Sequence, residues 1–181
     1  MGRAIGAVEL RVVGDDDRPV PPGREGEILA RGPECFLGYL DRALNAETFT
    51  SDGWFRSGDL GTLDADGYLR ITGRKKDIII RKGENISARE IEDLLAAHPA
   101  VAEVAVVGVP DAAAGEIACA VLRLRAGAGA PSLDDMTRHL LARGLSKRKL
   151  PERLAVVDDF PRTASGKVLK RALRDRVISG A

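Results

Sequence analysis

Short stretches of alternating apolar and polar residues fill the first third of the chain, which is the pattern of strands with one buried face. Val8–Val13 and residues 26–31 each predict one such strand. Gly58–Leu63 and Tyr68–Thr72 predict two strands joined by Asp64–Gly67, whose closing Asp-Gly pair is typical of a tight hairpin. We therefore expect the first third to form a small barrel or a distorted sheet.

The hydrophobic period changes after Gly73, where helical spacing begins to alternate with apolar strands. A Ser-x-x-Glu capping box at residues 87–90 predicts a helix whose apolar positions extend to His98 and which stops at Pro99. A second cap, formed by Ser and Asp at residues 132–135, predicts another helix. The remaining predicted elements are three strands and a closing helix, at Val101–Val109, Ile117–Leu124, Leu154–Val157 and Val168–Ile178.

These elements predict an α+β protein, with a small β-rich N-terminal subdomain followed by a compact α+β domain. We place the boundary near residues 73–77, with the subdomain at 1–74 and the second domain at 75–181. Because the pattern changes abruptly and a capped helix follows, we expect the two parts to fold as separate units and to move against each other.

Composition shows that the chain can fold but requires no nucleic acid or membrane as partner. Of its 181 residues 44% are apolar and the net charge is +1, so neither nucleic acid nor an anionic membrane is demanded. Cys35 and Cys119 lie far apart and outside any CxxC pattern, which supports neither a disulfide framework nor a metal site. The N-terminus has no apolar leader and no segment is long enough to span a membrane, so we expect a cytoplasmic protein.

Two short motifs in the first half are compatible with nucleotide binding and also with plain structure. Ser57–Leu60 contains a Gly-Asp pair whose carboxylate could accept hydrogen bonds from ribose hydroxyls, although such pairs usually make turns. Gly73–Ile80 begins with three cations, so Arg74 either bridges ribose and phosphate or starts a solvated strand. Taken alone, each motif favours the structural interpretation.

Two later motifs also have a structural interpretation. Arg81–Ser87 contains Gly83, which permits a tight hairpin and the close approach of a ligand, or simply makes a turn before the capped helix. Pro161–Lys167 ends in Gly-Lys, but it lacks the first Gly and the following Ser or Thr of a phosphate-binding P-loop. Lys167 is then either a long cation suited to reach an anion or a solvated surface lysine.

Taken together, the order and spacing of the four motifs favour the functional interpretation over the structural one. The segments DGWFRSGDLG, GRKKDIIIRKGENIS, AREIEDLL and PRTASGK together resemble the C-terminal portion of the adenylate-forming superfamily, which includes acyl-CoA synthetases, adenylation domains and luciferases. The resemblance extends from Gly2 to Arg174. It implies an AMP-forming acid–CoA ligase, which converts a carboxylic acid and ATP to an acyl-adenylate and then passes the acyl group to the thiol of CoA.

The resemblance implies a role in the first half-reaction for three residues. Asp59 corresponds to the ligand of the ribose hydroxyls, and Arg74 corresponds to an arginine that also holds the nucleotide. Lys167 corresponds to the catalytic lysine that contacts the carboxylate and the α-phosphate. The chemistry agrees, because adenylation builds negative charge on the α-phosphorus and a lysine in a closed site stabilises that charge.

Three further residues are implied in a change of domain orientation. Lys76 corresponds to the hinge about which the small domain rotates between the half-reactions. Gly83, followed by Glu84, lies on the loop that resembles the one lining the pantetheine channel during thioester formation. One active site would then run two reactions with different parts of one mobile lid.

The resemblance also implies parts of the machinery outside this chain. The loop for the β- and γ-phosphates, the segment near adenine and Mg²⁺ and the acyl pocket lie upstream in the family, so we expect no metal ligands here and no activity of the chain alone. The expected partners are a carboxylic acid, ATP, CoA and the N-terminal part of the same enzyme. A protein acetyltransferase acting on Lys167 would remove its charge and offers a route to regulation.

Two alternatives to a CoA ligase stay open at this point. An adenylation enzyme would load a carrier protein instead of CoA, although the absence of a carrier domain after Ala181 favours CoA. A non-catalytic binding or regulatory module would also lack the phosphate loop. The acid itself is not determined, although Asn85 stands where some long-chain relatives have a Trp gate, which weakly disfavours a long chain.

Overall fold

The computed structural model describes residues 1–180, and Ala181, with which the predicted second domain ends, lies outside the described residues. The chain divides into two compact units, of which the first is Met1–Lys76 and the second begins at Asp77. Each unit contains one five-stranded sheet, and three of the four described α-helices belong to the second unit. The predicted α+β class is confirmed.

The first unit is an antiparallel sheet with the strand order β1-β5-β4-β3-β2. Its strands are β1 Gly2–Arg3, β2 Glu9–Val13, β3 Glu25–Arg31, β4 Phe55–Leu63 and β5 Tyr68–Arg74. Of the two predicted alternatives, the distorted sheet is therefore the observed one, and register shifts in β4 against both of its neighbours supply the distortion. The helix α1 at Arg42–Thr48 was not predicted, because it buries no residue and so carries no apolar stripe.

The core of the first unit contains Trp54, which packs with Val13 and Leu29 and is 3% exposed. The guanidinium groups of Arg11 and Arg31 lie over its ring, 4.1 Å and 4.5 Å from the ring centroid. Since Trp54 is the single tryptophan of the chain, its fluorescence reports on the folding of this unit.

The second unit is a mixed sheet with the order β10-β9-β6-β7, in which β8 also pairs with β9 along its length. Its strands are β6 Ile78–Arg81, β7 Glu84–Ser87, β8 Val101–Asp111, β9 Gly115–Leu124 and β10 Arg153–Val156. Its helices are α2 Ala88–Leu95, α3 Leu133–Ala142 and α4 Lys170–Ser179. Only the β9–β10 pair is parallel, because α3 and its connections carry the chain back between these two strands.

Alternation along β8 and β9 divides the core of the second unit between two faces. One set of buried residues packs with α2 and α3, and it includes Val106, Leu122 and Met136. The other set packs with α4, and it includes Val107 and Leu173. Because helices cover both faces of the sheet, the sequences of these two strands are almost continuous apolar runs.

Both predicted helix caps are present. The Ser87 hydroxyl accepts a hydrogen bond from the Glu90 amide at 3.3 Å, and the cap at residues 132–135 is a reciprocal capping box. The first of these helices ends earlier than predicted, at Leu95. His98 therefore lies beyond the helix, in a turn in which the His98 amide donates to the Leu95 carbonyl at 3.0 Å. Pro99 therefore does not mark the end of the helix; it lies inside the next turn, in which the Val101 amide donates to the His98 carbonyl at 3.0 Å.

The closing helix also differs from its prediction. It begins at Lys170 and not at Val168, because Val168 forms an antiparallel bridge with Arg162. The apolar side chains that suggested an earlier start thus belong to the end of a small hairpin. The hairpin places Lys167 in a loop three residues before the start of α4.

Candidate active-site residues

The Ser57–Leu60 motif lies in a bulge of β4. Glu27 of β3 pairs with Leu60, whereas Leu29, two residues further along β3, pairs with Arg56, so β4 accommodates two extra residues there. Gly58 adopts a φ of +69°, a conformation that favours glycine. The Ser57 hydroxyl fixes the bulge by donating to the Ile28 carbonyl at 2.7 Å and accepting from the Asp59 amide at 3.0 Å.

This bulge brings Asp59 opposite Arg74. The two residues are cross-strand partners on β4 and β5, and the Arg74 Nε donates to Asp59 Oδ1 at 3.0 Å. The Asp59 side chain is 26% exposed and the Arg74 side chain is 50% exposed, so both can be reached by a ligand. A carboxylate acceptor beside a planar guanidinium donor is a chemically suitable pair for ribose hydroxyls and an adjacent phosphate.

The chain leaves β5 through a short 3-10 turn at Lys75–Asp77, which contains the predicted hinge residue Lys76. All three side chains of the turn are charged, and their ion-pair partners differ. Lys75 pairs with Glu27 at 2.9 Å, Asp77 lies 3.6 Å from the Lys170 ammonium, and no ion pair of Lys76 occurs within residues 1–180.

Gly83 lies in a two-residue turn between β6 and β7. Lys82 has a φ of 50° and Gly83 a φ of 78°, which is the left-handed pair required by a tight hairpin of type I′. The Lys82 amide donates to the Ala114 carbonyl at 2.8 Å, so the turn lies beside the start of β9. Glu84, the next residue, pairs with Arg148 at 2.9 Å.

Lys167 lies in a small hairpin whose backbone is held by several hydrogen bonds. The Thr163 amide donates to the Lys167 carbonyl at 2.8 Å, and the Lys167 amide donates to the Thr163 hydroxyl at 3.1 Å. Gly166 adopts a φ of 83° at the turn. The Lys167 side chain is exposed, and in the part of the chain that the structure describes its ammonium group enters no ion pair or hydrogen bond.

Glu103, a residue that the sequence motifs do not single out, supports this hairpin. Its carboxylate accepts hydrogen bonds from Arg123 at 2.7 Å and from Arg162, whose second nitrogen donates to the Gly166 carbonyl at 3.0 Å. The hydrogen bond from Arg123, followed by that from Arg162, holds the pKa of Glu103 below its ordinary value. A glutamate at the start of an apolar strand, with arginines on the paired strand and in the motif, is the signal that could have identified it.

We expect Glu103→Gln to destabilise the second unit in a pH-dependent manner. Because the folded pKa is lowered, the stabilisation is present above the unfolded pKa, about 4.3, and is lost as the pH falls through the folded pKa. At pH 7 the variant should melt about 4 °C below the original protein, since about 1 kcal/mol remains after solvent screening. Thermal unfolding followed by circular dichroism from pH 7 to pH 3 should show that the difference in melting temperature between the two proteins disappears below about pH 4.

Asp158→Asn is the matched control for this measurement, because Asp158 is an exposed carboxylate of the same unit. Its melting temperature should follow that of the original protein at every pH. If the melting temperature of Glu103→Gln differed from that of the original protein by the same amount at every pH, the Glu103 charge would not stabilise the hairpin.

Gly83 and Lys167 are not brought together. The Lys167 hairpin is joined through Arg162 to Glu103, near the first residue of β8, whereas the Gly83 turn lies beside Gly115, which pairs with the last residue of β8. Asp111 lies eight positions after Glu103 along the strand, or about 25 Å at the usual rise per residue. A lysine side chain cannot span such a length.

Burial argues against nucleophilic chemistry at Cys119. This side chain is fully buried in β9, and desolvation raises the pKa of its thiol to about 11.

Within residues 1–180 no group of three His, Cys, Asp or Glu side chains is arranged to hold a metal ion. The helices described there are also too short or too polar to cross a bilayer.

Comparison with known proteins agrees with the motif order. Residues 90–167 match the family described as AMP-binding enzyme C-terminal domain. The medium-chain fatty-acid–CoA ligase of Escherichia coli K12 is 44% identical over 178 residues, which are 98% of this chain and 31% of that protein. The 2,3-dihydroxybenzoate-AMP ligase of Bacillus subtilis 168 is 44% identical over 170 residues, which are 93% of this chain and 31% of that protein.

A solved structure shows the same similarity in three dimensions. The ATP-bound crystal structure of MatB from Rhodopseudomonas palustris superposes with a TM-score of 0.88 at 38% identity, covering 96% of this chain and 35% of that one. The chain thus spans about a third of the length of the curated relatives it matches. The chain belongs to the adenylate-forming, AMP-binding enzyme family and carries the family's C-terminal domain.

Proposed function

We propose that this chain supplies the ribose-binding segment and the mobile catalytic lid of an AMP-forming acid–CoA ligase. The first unit would hold the nucleotide through Asp59 and Arg74. The second unit would present Lys167 for adenylation and the Gly83 turn for thioester formation. The predicted domains, 1–74 and 75–181, are consistent with these two roles. Their boundary lies two residues before the boundary between the two compact units of the structure.

The separation of Lys167 from Gly83 is the observation that carries the proposal. Two loops near opposite ends of β8 cannot both reach one reacting carboxylate in a single orientation of the unit that carries them. A unit that presents each loop in turn would serve two successive reactions at one site. A binding module would have no need of two such loops, which argues against the non-catalytic alternative.

Each proposed residue has a chemical task that its surroundings allow. Asp59 would accept the ribose hydroxyls, and Arg74 would orient the adjoining phosphate through its planar donors. Lys167 would stabilise the negative charge that develops on the α-phosphoryl group when the carboxylate attacks. Its exposed ammonium group makes it equally accessible to an acetyltransferase, and acetylation would remove the charge. Mg²⁺ would neutralise the phosphates of ATP, and its ligands are proposed to lie in the N-terminal part of the enzyme; within residues 1–180 no group of three His, Cys, Asp or Glu side chains is arranged to hold a metal ion.

A chimeric enzyme tests the function directly. The 178 matched residues of the Escherichia coli medium-chain ligase would be replaced by those of this chain, which is justified by 44% identity. We expect this chimera to form acyl-CoA from a medium-chain acid, ATP and CoA, and the 181-residue chain alone to catalyse no acid-dependent pyrophosphate exchange. A folded chimera that neither releases pyrophosphate nor forms thioester would contradict the proposal.

A carrier protein is the second candidate for the acyl acceptor. The chain is 44% identical both to a relative named as a CoA ligase and to a relative named as an AMP ligase, so sequence identity does not decide the acyl acceptor. The chimera resolves the question when it is offered CoA or a phosphopantetheinyl carrier protein at equal concentration. Transfer to the carrier alone would favour this second candidate.

Asp59→Ala is expected to weaken nucleotide binding in the chimera. Loss of the carboxylate would leave ribose hydroxyls without acceptors, at a cost of about 1–3 kcal/mol, so the KM for ATP should rise about 5-fold to 150-fold. Asp66→Ala is the control, because Asp66 is an exposed carboxylate in the β4–β5 turn of the same unit. An unchanged KM for ATP together with an unchanged turnover in Asp59→Ala would remove Asp59 from the site.

A further inference from the structure

Glu27 is the one charged side chain that is buried within residues 1–180, at 6% exposure. It lies on β3, beside the bulge that presents Asp59. Its Oε2 accepts hydrogen bonds from Lys75 at 2.9 Å and from Arg56 at 3.2 Å. A buried carboxylate with two cations on one oxygen is costly to desolvate, so a role beyond stability is a reasonable hypothesis for it.

The two cations depend on Glu27 to different degrees. Arg56 also donates to Asp17 at 2.6 Å, and this hydrogen bond keeps Arg56 paired when Glu27 is changed. For Lys75, Glu27 is the ion-pair partner within the described residues, although the Lys75 side chain is 54% exposed. Glu27 therefore fixes the first residue of the turn that contains Lys76.

The last residue of that turn is fixed in the second unit. The Asp77 carboxylate lies 3.6 Å from the Lys170 ammonium, which also pairs with Glu92 at 2.7 Å. Glu92 in turn accepts a hydrogen bond from the Val106 amide at 2.7 Å. Asp77 is thus linked to α4, α2 and β8, which are core elements of the second unit.

We propose that Glu27 is a positioning residue for the lid, because the Glu27–Lys75 and Asp77–Lys170 ion pairs confine rotation of the second unit to the backbone of Lys76. We call these two contacts the flanking ion pairs. Each flanking ion pair ties one neighbour of Lys76 to its own unit, and Lys76 itself enters no ion pair in the described chain. The inference rests on the proposed function only in taking Lys76 as the hinge.

A hinge of one residue has a consequence for catalysis. When both neighbours are fixed, the lid can adopt only the orientations that the two dihedral angles of Lys76 permit, and less time is spent in orientations that serve neither reaction. Release of Lys75 would add a second pair of free dihedral angles. The population of each productive orientation would then fall, although no residue that contacts the substrates has changed.

Hydrogen exchange on the 181-residue chain tests the flanking ion pairs without any assumption about activity. We expect Glu27→Gln, which keeps the shape of the side chain, to speed exchange of the amides of residues 75–78 about tenfold, since a charge-assisted hydrogen bond is lost. Glu25→Gln is the matched control, because Glu25 lies on the same face of β3 but is exposed. It should leave exchange at residues 75–78 unchanged.

A double-mutant cycle separates positioning from general stability. Lys75→Met should reproduce the exchange of Glu27→Gln, and the double variant should add nothing, because both remove the same contact. Lys75→Arg should restore slow exchange. Lys170→Met should speed exchange at residues 77 and 78, whereas Arg171→Met, at the exposed neighbouring position of α4, should not. Exchange that rises evenly through the first unit, with earlier melting of Trp54 fluorescence, would show that Glu27 is only structural.

Assays of the chimera test the consequence for catalysis. Glu27→Gln should lower turnover about threefold or more while the KM for the acid stays constant, because the acid pocket is untouched. Unchanged exchange at residues 75–78 would overturn the inference whether or not the chimera is active. Faster exchange with unchanged turnover would also overturn it, because the flanking ion pairs would exist without directing the lid. A wild-type chimera without activity would instead count against the proposed function.

Discussion

Lys167→Ala should strongly slow adenylate formation in the chimera and leave thioester formation from a supplied acyl-adenylate intact. The lysine is proposed to act only while the carboxylate attacks the α-phosphate, so its loss should slow pyrophosphate release about 100-fold to 1,000-fold, or about 3–4 kcal/mol. Once an acyl-adenylate is supplied, the charge has no further task. Conversion of synthetic acyl-adenylate and CoA to acyl-CoA should therefore proceed at the rate of the unmodified chimera.

The substitution should not disturb the hairpin that carries Lys167. The backbone groups of Lys167, and not its ammonium group, make the hydrogen bonds to Thr163 that close the hairpin. Removing an exposed side chain of this kind changes stability by about 0.5 kcal/mol or less. A loss of adenylation in Lys167→Ala can therefore be assigned to chemistry, provided that the melting temperature is retained.

Two variants make the Lys167 experiment decisive. Lys147→Ala removes an exposed lysine from the same unit and should leave both half-reactions unchanged. Lys167→Arg keeps the charge but alters its geometry, so it should recover only part of the adenylation rate. If Lys167→Ala lost both half-reactions equally while remaining folded, the proposed division of labour within the lid would be wrong.

Strands and caps could be read from the sequence because each depends on residues close together in the chain. The apolar run at Val101–Val109 and the capping box at residues 132–135 lie within one element each, and both predictions are confirmed. The hairpin at Pro161–Lys167 depends instead on a bridge between Arg162 and Val168 and on the distant Glu103. Local periodicity therefore extended the closing helix into residues that the hairpin uses.

The arrangement of the candidate site could be predicted only in part. Motif order selects Asp59 and Arg74 as candidates, but their contact requires two register shifts in β4 that no local pattern encodes. Period-two alternation does place Glu27 on the same face of β3 as buried Leu29, so a buried charge could have been suspected there. One of the two partners of that charge, Lys75, lies 48 residues away and follows only from the three-dimensional sheet order.

Gly83→Leu should have the opposite effect to Lys167→Ala. The Gly83 turn is proposed to approach the reacting centre during thioester formation, where a side chain would obstruct the pantetheine arm. A Cβ at this position meets no atom within 4 Å inside the chain, so the expected block concerns the acceptor and not the packing of the turn. Thioester formation from supplied acyl-adenylate should fall about 100-fold or more, because small displacements of a reacting group have effects of that size.

Backbone strain is the competing explanation for an effect at Gly83, and a second glycine controls for it. Gly83 has a φ of +78° and Gly127 a φ of +76°, and neither has a neighbour within 4 Å of a Cβ. Leucine at either position should therefore cost a similar free energy of unfolding, about 1–2 kcal/mol. Only Gly83→Leu should slow thioester formation, and both variants should release pyrophosphate at the rate of the unmodified chimera. Equal loss of thioester formation in Gly83→Leu and Gly127→Leu would trace the effect to strain and remove Gly83 from the acceptor channel.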